Sequence, residues 1–126
     1  MTALKGGGTM RNEERESARR KLDKELRFYR LAARERNSTQ DLLRTVRRAL
    51  GVPVAEMARA LGLHRSVVFE LELSEGRGTI SLKSMDRVAS AMGCKFIYAI
   101  VPLGEMTLEE MGDRRKWVKK VMEKRD

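Results

Sequence analysis

The chain is poor in the residues that small proteins use for chemistry or covalent bracing. Its one cysteine, Cys94, rules out an intrachain disulfide. Flanked by Gly93 and Lys95 ahead of an apolar run, it reads as a small buried residue rather than a reactive thiol. The one histidine, His64, has no Cys or His at ligand spacing, so no zinc site is readable. Aromatic residues are only 5% of the 126 residues, which leaves Leu, Val, Ala and eight methionines to supply the packing. No stretch approaches the ~18 consecutive apolar residues of a membrane helix. Residues 1–10 carry Gly6-Gly7-Gly8 and then charges instead of a signal-peptide apolar segment, and the expected location is the cytoplasm. Those glycines lack the Lys-Ser/Thr of a phosphate-cradling loop, and no carboxylates cluster in a core context. The expectation is therefore a protein that is not an enzyme, with no cofactor and no metal.

What the chain does have is positive charge. The formal net charge is +9, and 36% of residues are charged. That excess favours a polyanionic partner. It is unevenly placed: residues 1–40 hold 11 Lys/Arg against 6 Asp/Glu, residues 41–80 hold 6 against 5, and residues 81–126 hold 10 against 7. The basic surplus lies mostly outside the central part.

Hydrophobic spacing divides the chain into residues 1–37, 38–94 and 95–126. After a Gly-containing start expected to be mobile, Asn12–Asn37 lacks Pro and Gly. It places Ala18, Leu22, Leu26, Tyr29 and Ala33 on one helical stripe. The spacing predicts one basic amphipathic helix, packed on the core and suited to touch phosphates. Ser38 or Thr39 can cap a helix to Leu50 with Leu42, Leu43, Val46 and Leu50 inward. Gly51 ends it, and Pro53 opens a helix that ends at Leu61-Gly62. A third helix covers about Arg65–Leu73, followed by a Gly76-Arg77-Gly78 loop. Ser81 or Ser84 starts a fourth, with Leu82, Met85, Val88, Ala89 and Met92 inward and Gly93 closing it.

Lys95–Val101, bounded by Pro102, is β-branched and aromatic enough to read as a strand. No second strand is evident, so its expected partner is the same strand in another copy of the chain. Thr107-Leu108-Glu109-Glu110 is a capping box opening a last helix, with Met111, Trp117, Val118, Val121 and Met122 on its apolar side. The fold class expected is mainly α, a helical bundle with one C-terminal strand and a C-terminal helix.

The segment Val54–Leu73 carries the functional signal. Ala58 is small where two helices would cross closely, and Gly62 offers the positive φ of a sharp turn. Leu63 plugs that turn, while Met57, Leu61, Val68 and Leu71 bury both inner faces. The second helix then projects its first turn outward, where it can enter a major groove.

Over about Asp41–Pro102 this pattern resembles the Xre, or lambda-repressor-like, helix-turn-helix family. Arg47–Gly51, Glu70–Glu75, Gly78–Leu82, Ala91–Cys94, Tyr98–Pro102 and the upstream Ala18–Asp23 narrow the resemblance to mobile mystery protein A. That resemblance implies a transcriptional regulator encoded beside a Fic-domain protein, acting as the regulator or antitoxin half of the pair. Related antitoxins also place a C-terminal strand across their dimer interface. Two positions depart from the pattern: His64 stands where Ser or Thr often opens the recognition helix, and Val54 where Gln is frequent. An alternative is an antitoxin that works mainly by binding its toxin. The helix motif some Fic inhibitors use, Ser/Thr, three residues, Glu, then Gly/Asn, is absent, because Leu71 follows Ser66–Glu70.

The residues expected at double-stranded DNA are His64, Arg65, Ser66, Phe69 and Glu70 at the start of the recognition helix. Arg65 is the candidate for bidentate contact with guanine, and Ser66 for a base or phosphate. Phe69 packs on a thymine methyl or belongs to the core. Glu70 accepts from cytosine or pairs with an Arg. Arg44, Arg47, Arg48, Arg59 and Arg77 are candidate phosphate contacts. The expected assembly is a homodimer on an inverted repeat, with a Fic-domain toxin as a second partner.

Overall fold

The structure, a computed structural model, describes residues 10–35, 41–114 and 122–124. Among these the fold is mainly helical, with α1 (Asn12–Glu25), α2 (Arg27–Glu35), α3 (Leu42–Ala49), α4 (Val54–Leu61), α5 (Arg65–Arg77), α6 (Leu82–Ala91) and the short α7 (Leu108–Met111). Two compact units divide it, one of Arg36–Tyr98 and one of Met1–Glu35 with Ala99–Asp126. No helix of the described residues is long and apolar enough to cross a membrane.

The unit Arg36–Tyr98 holds the apolar core. Leu43 of α3, Met57, Ala58 and Leu61 of α4, Val68 of α5, and Met85 and Val88 of α6 are buried together. Met57 and Val68 are each 1% exposed. Val52, Leu63, Leu71, Met92 and Phe96 pack around them. The inward positions follow helical spacing with two exceptions. Leu50 caps the end of α3 and Leu82 opens α6, so both lie at helix ends and are about half exposed.

Helix ends differ from the sequence expectation in instructive ways. Ser38 and Thr39 lie outside the described residues. The N-cap of α3 is Asp41, held left-handed at φ 63° and making no side-chain cap. Glu75 does that work from α5: its carboxylate accepts from the Leu42 N–H at 3.0 Å and the Leu43 N–H at 2.8 Å. The expected loop at Gly76-Arg77-Gly78 is mostly helix, since α5 runs through Arg77 and only Gly78 turns left-handed, at φ 74°. Ser81 caps α6 as expected, accepting from the Ser84 N–H at 3.0 Å.

Residues 95–101 are not a strand. Their backbone makes no hydrogen bond to the described residues, and none of those residues offers them a partner edge. Phe96 packs against the core and stacks on Tyr98 with ring centroids 5.6 Å apart. Cys94 is exposed rather than buried, because its N–H closes the turn after α6 on the Ala89 carbonyl at 2.9 Å and faces its side chain away from the core.

The second unit is held by polar contacts. The single helix expected over Asn12–Asn37 is interrupted at Leu26, where Arg30 donates to the Asp23 carbonyl at 3.1 Å. Asp23 in turn caps α7, accepting from the Leu108 N–H at 2.7 Å and the Glu109 N–H at 2.9 Å. The capping box of Thr107 and Glu110 forms as expected. However, α7 stops at Met111, with Gly112 next at φ 65° and ψ −154°. Trp117, Val118 and Val121 lie outside the described residues, and Met122 is exposed. The apolar stripe on α1 and α2 is shallow: no residue of α1 is buried, and Ala33 is exposed.

Candidate nucleic-acid interface

The helices α4 and α5 meet through a tight turn. Gly62 sits at φ 66°, a conformation costly for a residue with a Cβ. This reversal lets the Leu63 N–H reach back to the Ala58 carbonyl at 2.9 Å. Ala58 is 4% exposed at the crossing, and Leu63 packs onto the core. Arg87 of α6 closes the outgoing end of α4 by donating to the Leu61 carbonyl at 3.0 Å.

His64 is the N-cap of α5. Its Nδ1 accepts from the Ser66 N–H at 3.3 Å and lies 2.9 Å from the Ser66 hydroxyl. A histidine therefore does here what Ser or Thr does elsewhere. An accepting Nδ1 leaves Nε2 as the ring's donor.

Beyond the cap, Arg65, Ser66, Phe69, Glu70 and Leu73 are all exposed. Their spacing of one, four, five and eight residues puts them on one outward face of α5. Phe69 is 49% exposed, which removes it from the core. Arg59 on α4, Arg77 at the end of α5, and Arg44 and Arg48 one turn apart on α3 are exposed as well. Among the described residues none of these five arginines, Arg65 included, makes an ion pair.

Arg47 is different and leaves the set of phosphate candidates. Only 8% exposed, it pairs with Glu72 through two nearly parallel bonds, from Nε at 2.9 Å and Nη2 at 3.0 Å. Its Nη1 donates to the Val52 carbonyl at 3.0 Å. Each of its three nitrogens is engaged inside the protein and the side chain is buried, which withdraws it from a phosphate outside. Glu72 and Glu75 were not singled out by the sequence. Their three-residue spacing beside Val68 and Leu71, on the buried face of α5, is the signal that marks them as internal carboxylates.

The basic excess near the N-terminus is partly neutralised in place. Arg11 pairs with Glu14, Arg15 with Asp113, Arg30 with Asp23, and Arg34 with Glu105. Arg20, Lys21, Lys24 and Arg27 remain exposed.

Compared with models of protein families, with curated proteins and with solved structures, the chain matches none.

Proposed function

We propose that the chain is a sequence-specific DNA-binding transcriptional regulator of the lambda-repressor-like helix-turn-helix type. It acts as a dimeric repressor, with its own operon and a Fic-domain partner as its setting. One observation carries the reading: the α4–turn–α5 unit buries Ala58, Met57, Leu61 and Val68 while turning Arg65, Ser66, Phe69 and Glu70 outward on one face. That is the shape and chemistry a major groove accepts. His64 fixes the first turn of α5, so Arg65 and Ser66 enter pre-positioned.

In this reading Arg65 reads guanine, Ser66 a base or phosphate, and Phe69 a thymine methyl. Arg44, Arg48, Arg59 and Arg77 meet phosphates and set the register. The dimer forms through residues 95–101, whose backbone makes no hydrogen bond among the described residues and whose Ile97, Tyr98 and Ile100 are exposed. Two such segments complete one another's ladder across a two-fold axis.

Selection of binding sites from random duplexes tests the reading. The expected product is an inverted repeat with half-sites about 34–36 Å apart, bound with a steep inverse dependence on salt. Recovery of no preferred sequence, or of single asymmetric sites, overturns it.

A further inference from the structure

Between α3 and α5 lies an open cavity of about 320 Å³ that sets two of the proposed phosphate contacts beside an apolar wall. Its apolar wall is Phe69 and Leu73, one turn apart on α5, and about half exposed. Its polar wall is Arg44 and Arg48, one turn apart on α3, with Asp41 as the acid among them. The Arg47–Glu72 pair also lines it but is neutral as a pair and internally satisfied. Arg44 and Arg48 have no ion pair among the described residues. Asp41 is the one described non-glycine residue with positive φ. Strained backbone of that kind persists where surrounding structure holds it, often beside a binding site.

The arrangement is specific in two respects. Two unpaired cations one helical turn apart match two carboxylates on an extended or helical segment. Leu73 beside Phe69 extends the apolar surface beyond the proposed thymine contact. We infer that this groove docks a segment of a partner protein in which acidic residues flank one large apolar side chain. The apolar side chain lies on Phe69 and Leu73, and the flanking carboxylates meet Arg44 and Arg48. The net positive lining of the groove excludes a basic segment. If the DNA-binding reading holds, on which this consequence rests, docking there covers Phe69 and two phosphate contacts and so releases the protein from its operator.

Labelled peptides binding to the intact chain provide the test. One probe is a run of glutamates with a single central phenylalanine, and the second carries serine in its place. The expected result is about tenfold tighter binding of the phenylalanine peptide. Phe69→Ala should abolish that difference, and Arg44→Glu with Arg48→Glu should weaken both peptides. All three side chains are exposed, and far-UV circular dichroism is the check that the variants fold. Equal binding of the two peptides, or variants that bind as wild type does, overturns the docking. So does a double arginine variant that loses duplex affinity while binding both peptides as tightly as wild type, since the two arginines then serve DNA alone. If the phenylalanine peptide binds as expected but no duplex is bound, the docking stands and the DNA-binding reading falls. If a bound duplex is not displaced by a bound peptide, the competition fails.

Discussion

Arg47 and Glu72 face each other across α3 and α5 in a doubly bonded pair, with side chains 10% and 7% exposed. The pair ties the first helix of the core unit to the helix proposed to read DNA. Such a pair is geometry-setting more than stabilising, because desolvation offsets much of its attraction. Removing one partner is costly, since the other stays buried and uncompensated. Arg47→Ala is expected to destabilise the fold by about 3–5 kcal/mol. Replacing both residues with methionine should restore most of the loss. Urea denaturation of Arg47→Met, Glu72→Met and the double variant checks this, and a fully additive double variant contradicts it.

Glu75 gives a second expectation on the same helix. It serves as the cap of α3 in place of the absent Asp41 side-chain bond, at 2.8 and 3.0 Å. Glu75→Ala strips two backbone donors of their acceptor and should cost about 2 kcal/mol. Glu75→Gln keeps one acceptor and should cost less. Hydrogen exchange at Leu42 and Leu43 reads the effect locally, and protection unchanged in Glu75→Ala argues against the cap.

Gly62 and Gly76 make opposite expectations from the same substitution. Around Gly62 a Cβ meets nothing within 4 Å among the described residues, so the cost of Gly62→Ala is conformational, at φ 66°. A loss of about 1–2 kcal/mol is expected. Gly76 lies inside α5, where among the described residues a Cβ approaches only the Asp41 carboxylate oxygen, at 3.2 Å. Asp41 is exposed and can move, so Gly76→Ala should stabilise by about half a kcal/mol. Thermal unfolding of both variants decides, and equal signs contradict the assignment of Gly62 to the turn.

The core unit was legible because its information is local. Apolar spacing marked Met57, Leu61, Val68, Met85 and Val88, and Gly62 marked the turn. Those signals depend on a few neighbouring residues. What stayed hidden depends on contacts across the fold. Nothing near Arg47 announces that Glu72, 25 residues on, will consume its guanidinium. The same holds for Asp23 capping Leu108 across 85 residues. The extension of α5 through Gly76 was missed because glycine reads as a breaker, while here the helix continues to carry Glu75 to α3. Residues 95–101 have the composition of a strand, but composition cannot supply the neighbouring edge that makes one.

The proposed base-reading face is where local legibility bears on function. Arg65 is the first residue of α5, exposed and without an ion pair among the described residues, directly after the capping His64. A guanidinium so placed can meet two guanine acceptors at once. Arg65→Ala should therefore weaken operator binding by about 1–3 kcal/mol and relax preference at one base pair. Arg59 sits on α4, off that face, where a phosphate is its expected partner. Arg59→Ala should weaken binding to every sequence alike and lower the salt slope by about one. Titrations of both variants against the selected site and single-base variants of it, at several salt concentrations, separate the roles. If Arg65→Ala loses affinity uniformly while keeping full discrimination, Arg65 is a backbone contact and the reading of bases passes to Ser66 and Phe69.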